Sequence, residues 1–209
     1  MDKSPKHLIP SRSAKRAQFD AEAIYPILDE ALFCTMSFAL DDKPFSIPTS
    51  FVRYENKIYI HGSVGSHFIR ELEKGIPACI TVMIADDLVL AKAPLSHSVN
   101  YRSVIIFATA EKIEDPQIKL DSFEWLIEKF APGRWNSLRT TTESEIRRTA
   151  VLAFDLKESS AKTRQGMPND EPEDKELPIW SGLLPISKQK LALIPDQSSV
   201  NLPIPEHLL

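Results

Sequence analysis

Two cysteines in 209 residues, Cys34 and Cys79, leave no disulfide framework and no CxxC pair. Both lie in apolar, strand-like surroundings, FCTMSF and PACITVM. They read as buried reduced thiols, which fits a reducing compartment and a cytoplasmic protein. No apolar run approaches about 18 residues, so no membrane span is expected. The N-terminal MDKSPKHLIPSRSAKR is basic but lacks a following apolar stretch, unlike a secretory signal. Basic residues are in slight deficit: 25 Lys and Arg against 29 Asp and Glu give a net charge of −4. With no long basic run, generic nucleic-acid binding through phosphate neutralisation is excluded. The chain has no GxSxG elbow and no Ser-His-Asp order. It has no Walker loop, no GxGxxG and no HExxH, so hydrolysis, nucleoside triphosphate chemistry and a metal site lack support.

What is present is an ordinary folded composition, 43% hydrophobic and 26% charged, long enough to bury a real core. Residues 1–17 read as a polar arm, 18–165 as the body, and 166–209 as a proline-rich extension wrapping the surface. Asp20 is placed to cap a first helix with Ile24, Ile27, Leu28 and Ala31 on one face, although Pro26 suggests a late start or a kink. LFCTMSFAL and PFSIPTSFVRY around Asp41-Asp42-Lys43 predict a hairpin, and ENKIYIHG a third strand. A helix over 66–74 stops at Gly75. ACITVMIA and LVLAKA predict two strands around a turn at Asp86-Asp87. SVNYRSVIIFATAEKIE is the longest strand candidate and, from its apolar middle, one covered on both faces. A helix capped by Asp115 with Pro116 at its first position shows Phe123, Leu126, Ile127 and Phe130 on one face. A short helix over 143–148 and a last strand, AVLAFDLK, follow. The sum is an α+β, mainly β, protein: an antiparallel split β-barrel of six to seven strands with flanking helices.

Three clusters carry chemistry. In KIYIHGSVGSHFIREL a strand runs through His61, Gly62 and Ser63 into a helix with Ser66 at its N-cap. The first amides of a helix lack internal partners and lie at the positive end of its dipole, so small residues there invite an anion. The alternatives are a plain capped connection, and for His61 a ligand contact or a capped structural histidine. His67 and Arg70 lie beside the same turn. The second cluster, LSHSVNYRSVIIF, crowds His97, Asn100, Tyr101, Arg102 and Ser103 at the entry of an apolar strand. It reads as a pocket rim or as a turn-rich strand end, and alternation can turn Arg102 toward a phosphate. In the third, Lys162 and Arg164 share a face, and Trp180 either stacks on a planar ring or fills a gap.

The succession IPTSF, YIHGSVGSH, NYRSVIIFATAE, PGRW, SAKTRQGMP and WSGLLP resembles the pyridoxamine 5′-phosphate oxidase-like flavin-binding proteins, in the branch related to nitroimidazole-resistance proteins. The resemblance implies an FMN-binding homodimer with two flavin sites at the subunit interface. It implies a ring lying along Pro48, Thr49 and Ser50 and the turn His61, Gly62 and Ser63, and a phosphate near Ser66 and His67. Asn100, Tyr101, Arg102 and Ser103, with Trp180, are then supplied by the partner. The activity implied is that of an oxidoreductase transferring hydride at flavin N5 to or from a small organic molecule. The alternative is a non-catalytic flavin- or haem-binding carrier or sensor, with a histidine as axial ligand. Two departures stand out. The oxidases carry Ser-Arg-Lys where this chain has Ser66-His67-Phe68, so His67, Arg70 or Arg102 must replace the missing cations. Their late Arg-x-His substrate motif has no counterpart here, which argues against pyridoxamine phosphate as substrate.

Overall fold

A computed structural model describes residues 6–9, 14–189 and 191–208. Most of the expected arm 1–17 therefore lies outside the described residues. Where it is described, Leu8 is buried and His7 pairs with Glu158 at 3.0 Å.

Two antiparallel sheets enclose the core. The larger runs in the order β1 (Ala17–Gln18), β10 (Ser159–Arg164), β7 (Ser98–Thr109), β6 (Pro77–Leu90), β2 (Phe33–Leu40), β3 (Lys43–Ser50), with β11 (Gly182–Pro185) added to β6. The smaller runs β4 (Val52–Tyr54), β5 (Lys57–Ser63), β9 (Thr149–Asp155), β8 (Glu111–Ile113). The helices are α1 (Ala21–Glu30), α2 (His67–Glu73), α3 (Pro116–Phe130) and α4 (Glu143–Arg148). The antiparallel split barrel is as expected. The strands number eleven rather than six or seven, because β1, β4, β8 and β11 are pieces of two to four residues, too short for a hydrophobic period to reveal.

Local chemistry explains the ends. The Asp20 carboxylate accepts from the Ala23 amide at 2.9 Å, so α1 starts on time and carries Pro26 within it. Asp41 and Asp42, both at positive φ, make the β2–β3 hairpin turn. Gly75 (φ +80) lets the chain leave α2 in the left-handed region. Asp115 caps α3 through the Gln117 and Ile118 amides.

The main core lies between the sheets. It takes Cys34, Met36 and Phe38 of β2, Ile80 and Val82 of β6, Val104 and Ile106 of β7, and Leu152 and Phe154 of β9, closed by α1 and α2. A second core, with Val52, Tyr59, Ile113, Val151 and Ala153, lies between the outer face of the smaller sheet and α3. The strand covered on both faces is thus β9, not β7, whose Ile105 is exposed within one chain.

Three further expectations are corrected. The turn at Asp86-Asp87 is a bulge inside one continuous strand, because both carboxylates find donors on β7. The chain from Ser98 does not run as one strand to Glu114; it changes sheets at Ala110. Helix α3 turns Phe123 and Leu126 inward as expected, but Ser122 and not Phe130 is its fully buried residue; Phe130 is exposed.

Candidate functional site

Alternation along β5 divides its side chains between two layers. Ile58 and Ile60 enter the main core, while Tyr59 and His61 point outward beneath α3. Gly62 faces inward, where Ile69 of α2 fills the space: a Cβ there would lie 2.6 Å from Ile69 Cγ1. Only glycine lets α2 settle so close to β5. The turn then tightens, with the Ser66 amide donating to the Ser63 carbonyl at 2.9 Å and the Gly65 amide to Ser63 Oγ at 3.2 Å. Ser66 is the N-cap of α2, but its hydroxyl makes no capping bond. The first turn of α2 holds no acidic side chain, and His67 and Arg70 are exposed beside it.

β3, which contacts β5, ends the larger sheet. Its Pro48, Thr49 and Ser50 pair with Thr35, Cys34 and Phe33 on one side. Among the described residues no strand pairs its other side, so a free row of peptide groups leads toward the β5–α2 turn.

The residues of β7 lie elsewhere in the same chain. Two strands separate β7 from β3, roughly 14 Å at normal strand spacing. Asn100 is buried; its Nδ2 donates to Asp87 Oδ2 at 2.9 Å and to the Gly166 carbonyl at 3.2 Å, and its Oδ1 accepts from Arg164. Arg102 is held by two carboxylates. Its Nη2 reaches Asp86 Oδ1 at 2.7 Å and Glu30 Oε1 at 2.9 Å, and its Nε reaches Asp86 Oδ2 at 3.0 Å. These bonds raise the Arg102 pKa, and the same guanidinium holds the Glu30 carboxyl below its usual value. Within one chain, then, Arg102 is turned to carboxylates. Tyr101 and Ser103 alternate to the opposite face, where Ser103 Oγ donates to the Lys162 carbonyl at 3.1 Å. Trp180 plugs no gap in the single chain. Its indole is 68% exposed and lies on Gly182, where a Cβ would come within 2.8 Å of the ring. His97 is exposed, with Nδ1 3.0 Å from the Ala93 carbonyl.

His61 belongs to a different space from the Ser66 turn. It floors a cavity of about 530 Å³ between α3 and the 138–149 segment, walled by Phe123, Leu126, Ile127 and Leu138, with Arg139 and Glu145 at its margin. Ser122 Oγ donates to the Lys119 carbonyl at 2.7 Å, so at 2.9 Å it accepts from His61 Nε2–H. That assignment leaves the Nδ1 lone pair without a hydrogen-bond partner among the described residues. Burial pushes the imidazole pKa down to about 4, which keeps the ring neutral. Arg139 pairs with Glu145 at 2.5 Å, and the capping box of α4 adds the Thr142 amide and hydroxyl to the same carboxylate.

Two residues escaped sequence reasoning. Ser122 is polar in a helix read for its apolar residues, yet it sets the His61 tautomer. Lys129 donates to the carbonyls of Leu28 at 2.9 Å and Phe51 at 3.2 Å. Ser122, Trp125 and Lys129 fall at i, i+3 and i+7 on α3, a helical stripe that could have flagged both.

A split barrel whose free-edged strand touches the strand leading into a helix N-terminus defines the class of protein. Residues 20–163 match the pyridoxamine 5′-phosphate oxidase family, and the chain belongs to it. Among solved structures, the chain is similar to the flavocytochrome Anf3 from Azotobacter vinelandii. That pair is 32% identical with a TM-score of 0.91, over 98% of this chain and 95% of that one. It is also similar to the FAD and heme binding protein from Mycobacterium smegmatis, at 30% identity and a TM-score of 0.88, over 92% and 95% of the two chains. A candidate 5-nitroimidazole antibiotic resistance protein from Bacteroides thetaiotaomicron shares the fold at 19% identity and a TM-score of 0.60, over 70% of this chain and 85% of that one. No curated protein matches the chain.

The buried neutral His61 has a thermodynamic consequence. Above pH 6.5 the imidazole is neutral folded or unfolded. Between 6.5 and about 4 the unfolded chain takes up a proton that the folded chain refuses, so stability falls as the pH falls through that window. The loss is on the order of 3 kcal/mol when the window is crossed. Urea unfolding of wild type and His61→Phe at about pH 7 and about pH 4.5 should show most of that loss in the wild type and little in the variant. Equal losses would refute the assignment.

Proposed function

We propose that this chain is a flavin-binding oxidoreductase that works on a small organic molecule as a homodimer. The observation that carries the reading is the free edge of β3, which contacts β5, the strand that leads into the uncommitted N-terminus of α2. The family membership and the flavin-binding names of two relatives at 30 to 32% identity support it.

The residues fit such a group. Peptide groups of Pro48, Thr49 and Ser50 offer donors and acceptors in a plane, which suits the edge of a fused ring. Ser63 is exposed beside it. The Ser66 hydroxyl, without a capping bond, and the α2 amides suit a phosphate. Arg70 is the cation beside that turn, with the exposed His67 ring next to it. When bound, a flavin supplies electron and hydride transfer at its ring; the chain orients it and keeps water from one face. With Arg102 and Asn100 committed to their own chain, Tyr101 and Ser103 are the β7 residues left to meet a partner's ligand, together with the exposed Trp180. The phosphate-proximal turn admits FMN. The relatives' names, which include FAD, make a dinucleotide the alternative occupant of the same turn.

The homodimer rests on the outer face of the larger sheet. Thr81 pairs with Thr35 on one side and Ile105 on the other, so Phe33, Met83 and Ile105 share one face. Phe33 is 63% and Met83 66% exposed, an apolar surface that a second copy would cover.

A second reading, haem binding in addition to flavin, is favoured by the His61 cavity. Its apolar walls and a neutral imidazole already oriented by Ser122 suit the apolar face of a porphyrin and an axial ligand to its iron. Both similar structures at 30% identity or more bear names that include a haem or cytochrome component.

Reconstitution with FMN and with FAD should give a bound flavin spectrum with at least one of them, and Ser66→Ala should weaken that binding about tenfold, or 1–1.5 kcal/mol. A colourless protein after both additions would remove the flavin reading. Added haemin should yield a stable haem spectrum in wild type that His61→Ala loses while keeping its flavin; retention by the variant would remove His61 from the haem reading. Met83→Glu should convert a dimer to monomers in analytical ultracentrifugation and lower flavin affinity with it; a monomeric wild type would sink the dimer.

A further inference from the structure

Lys129 is a half-buried cation on α3 that the reading above does not use. Its Nζ donates to the Leu28 carbonyl in the last turn of α1, where helix carbonyls lack internal partners. It donates as well to the Phe51 carbonyl, at the joint between β3 and β4. The same ammonium lies 3.9 Å from the centroid of the Phe51 ring, which is fully buried. One charge therefore joins α1, α3 and the residue that follows Ser50.

The surroundings are arranged to keep it there. Arg53 on β4 forms a two-bond pair with Asp29 on α1, at 2.8 and 2.7 Å, and its guanidinium covers the Tyr25 ring at 4.2 Å. Trp125, one turn before Lys129 on α3, stacks on Tyr54 at 3.8 Å with the rings nearly parallel. Burial pushes the Lys129 amine down to about 8, opposed by the nearby Asp29 carboxylate, so the group is still mostly protonated at neutral pH. A half-buried ammonium held by two carbonyls and a ring face gives up part of its hydration, a cost that makes sense where its position matters. A methionine of similar length would fill the space without that cost.

We propose that Lys129 is a positioning residue for the flavin site: it anchors the Phe51 carbonyl and thereby sets the plane and reach of the free β3 edge at Pro48, Thr49 and Ser50. The inference rests on the reading that this edge meets the flavin ring. Without the clamp, the end of β3 can pivot about the β3–β4 joint, because its outer side has no strand to hold it. Small misplacements at a recognition edge weaken binding and blur the hydrogen bonds that shape a flavin's visible absorption.

The test uses full-length protein and the flavin, FMN or FAD, that the wild type retains. Lys129→Met should weaken flavin binding about tenfold or more and smooth the fine structure of the bound flavin's visible band. Lys129→Arg, which keeps charge and donors, should recover most of both. A control of matched thermal stability, Ile113→Ala in the outer core, should bind flavin within about twofold of wild type. Should Lys129→Met fail to fold, Lys129→Gln, which keeps a donor without the charge, is read in its place. Hydrogen exchange of the Phe51 and Val52 amides, faster in the variant without flavin present, reports the clamp directly. Unchanged affinity and spectrum in a folded Lys129→Met protein, or an equal loss in the control, overturns the proposal. Unchanged exchange overturns it too. A wild type that binds no flavin overturns the parent reading instead, and the exchange result still decides whether the clamp exists.

Discussion

The larger sheet is one surface because two adjacent aspartates find side-chain donors inside its longest strand. Asp86 and Asp87 sit at a bulge in β6, where unpaired carboxylates would favour a turn. Arg102 takes Asp86 and, with the same guanidinium, Glu30 at the end of α1; Asn100 takes Asp87. Both donors stand on β7, directly across the ladder. β6 can then continue to Leu90, pairing with β2 at one end and β11 at the other. The helix that closes the core, the bulge, and the loop at Gly166 are all tied to that one pair of β7 residues.

That arrangement also explains why Arg102 reads so differently in sequence and in structure. Strand alternation makes it available to one face, and an anion is a reasonable partner. Nothing local says that the anion is Asp86, 16 positions away, with Glu30, 72 positions away, as a second. The hairpin at Asp41-Asp42, the caps at Asp20 and Asp115, and the stop at Gly75 were legible because each depends on residues a few positions apart. The split barrel was legible through the succession of motifs. The short strands were not, since two- to four-residue pieces carry no period, and the change of sheet at Ala110 leaves no composition mark in ATAEKIE. The burial of Ser122 was missed for a related reason. Ser122 is buried because His61 needs a partner there, a requirement visible only once β5 lies beneath the helix.

The β5–α2 connection shows how one strand serves two separate spaces. Consecutive residues, His61 and Gly62, point to opposite sides of the smaller sheet. The first enters a cavity beneath α3. The second makes way for Ile69 and so brings the start of α2 against the barrel. The sequence HGS therefore looks like a single polar cluster but divides into two environments about one sheet thickness apart. A ligand under α3 and a ligand at Ser66 would share β5 as a wall, which gives the two spaces a rigid common element rather than a loop.

The place of β11 bears on how the molecule is made. Strand β11 joins β6 at Asp87–Leu90 on the side that β2 occupies farther along, so it completes a row begun by a strand made nearly 150 residues earlier. During synthesis most of the barrel can assemble while that stretch of β6 still offers bare peptide groups beside Val89. A nascent chain arrested before Gly182 would present a sticky edge to its neighbours on the polysome. Closure of that stretch of β6 thus waits for a strand far along the chain, well after the core residues that it flanks have been made.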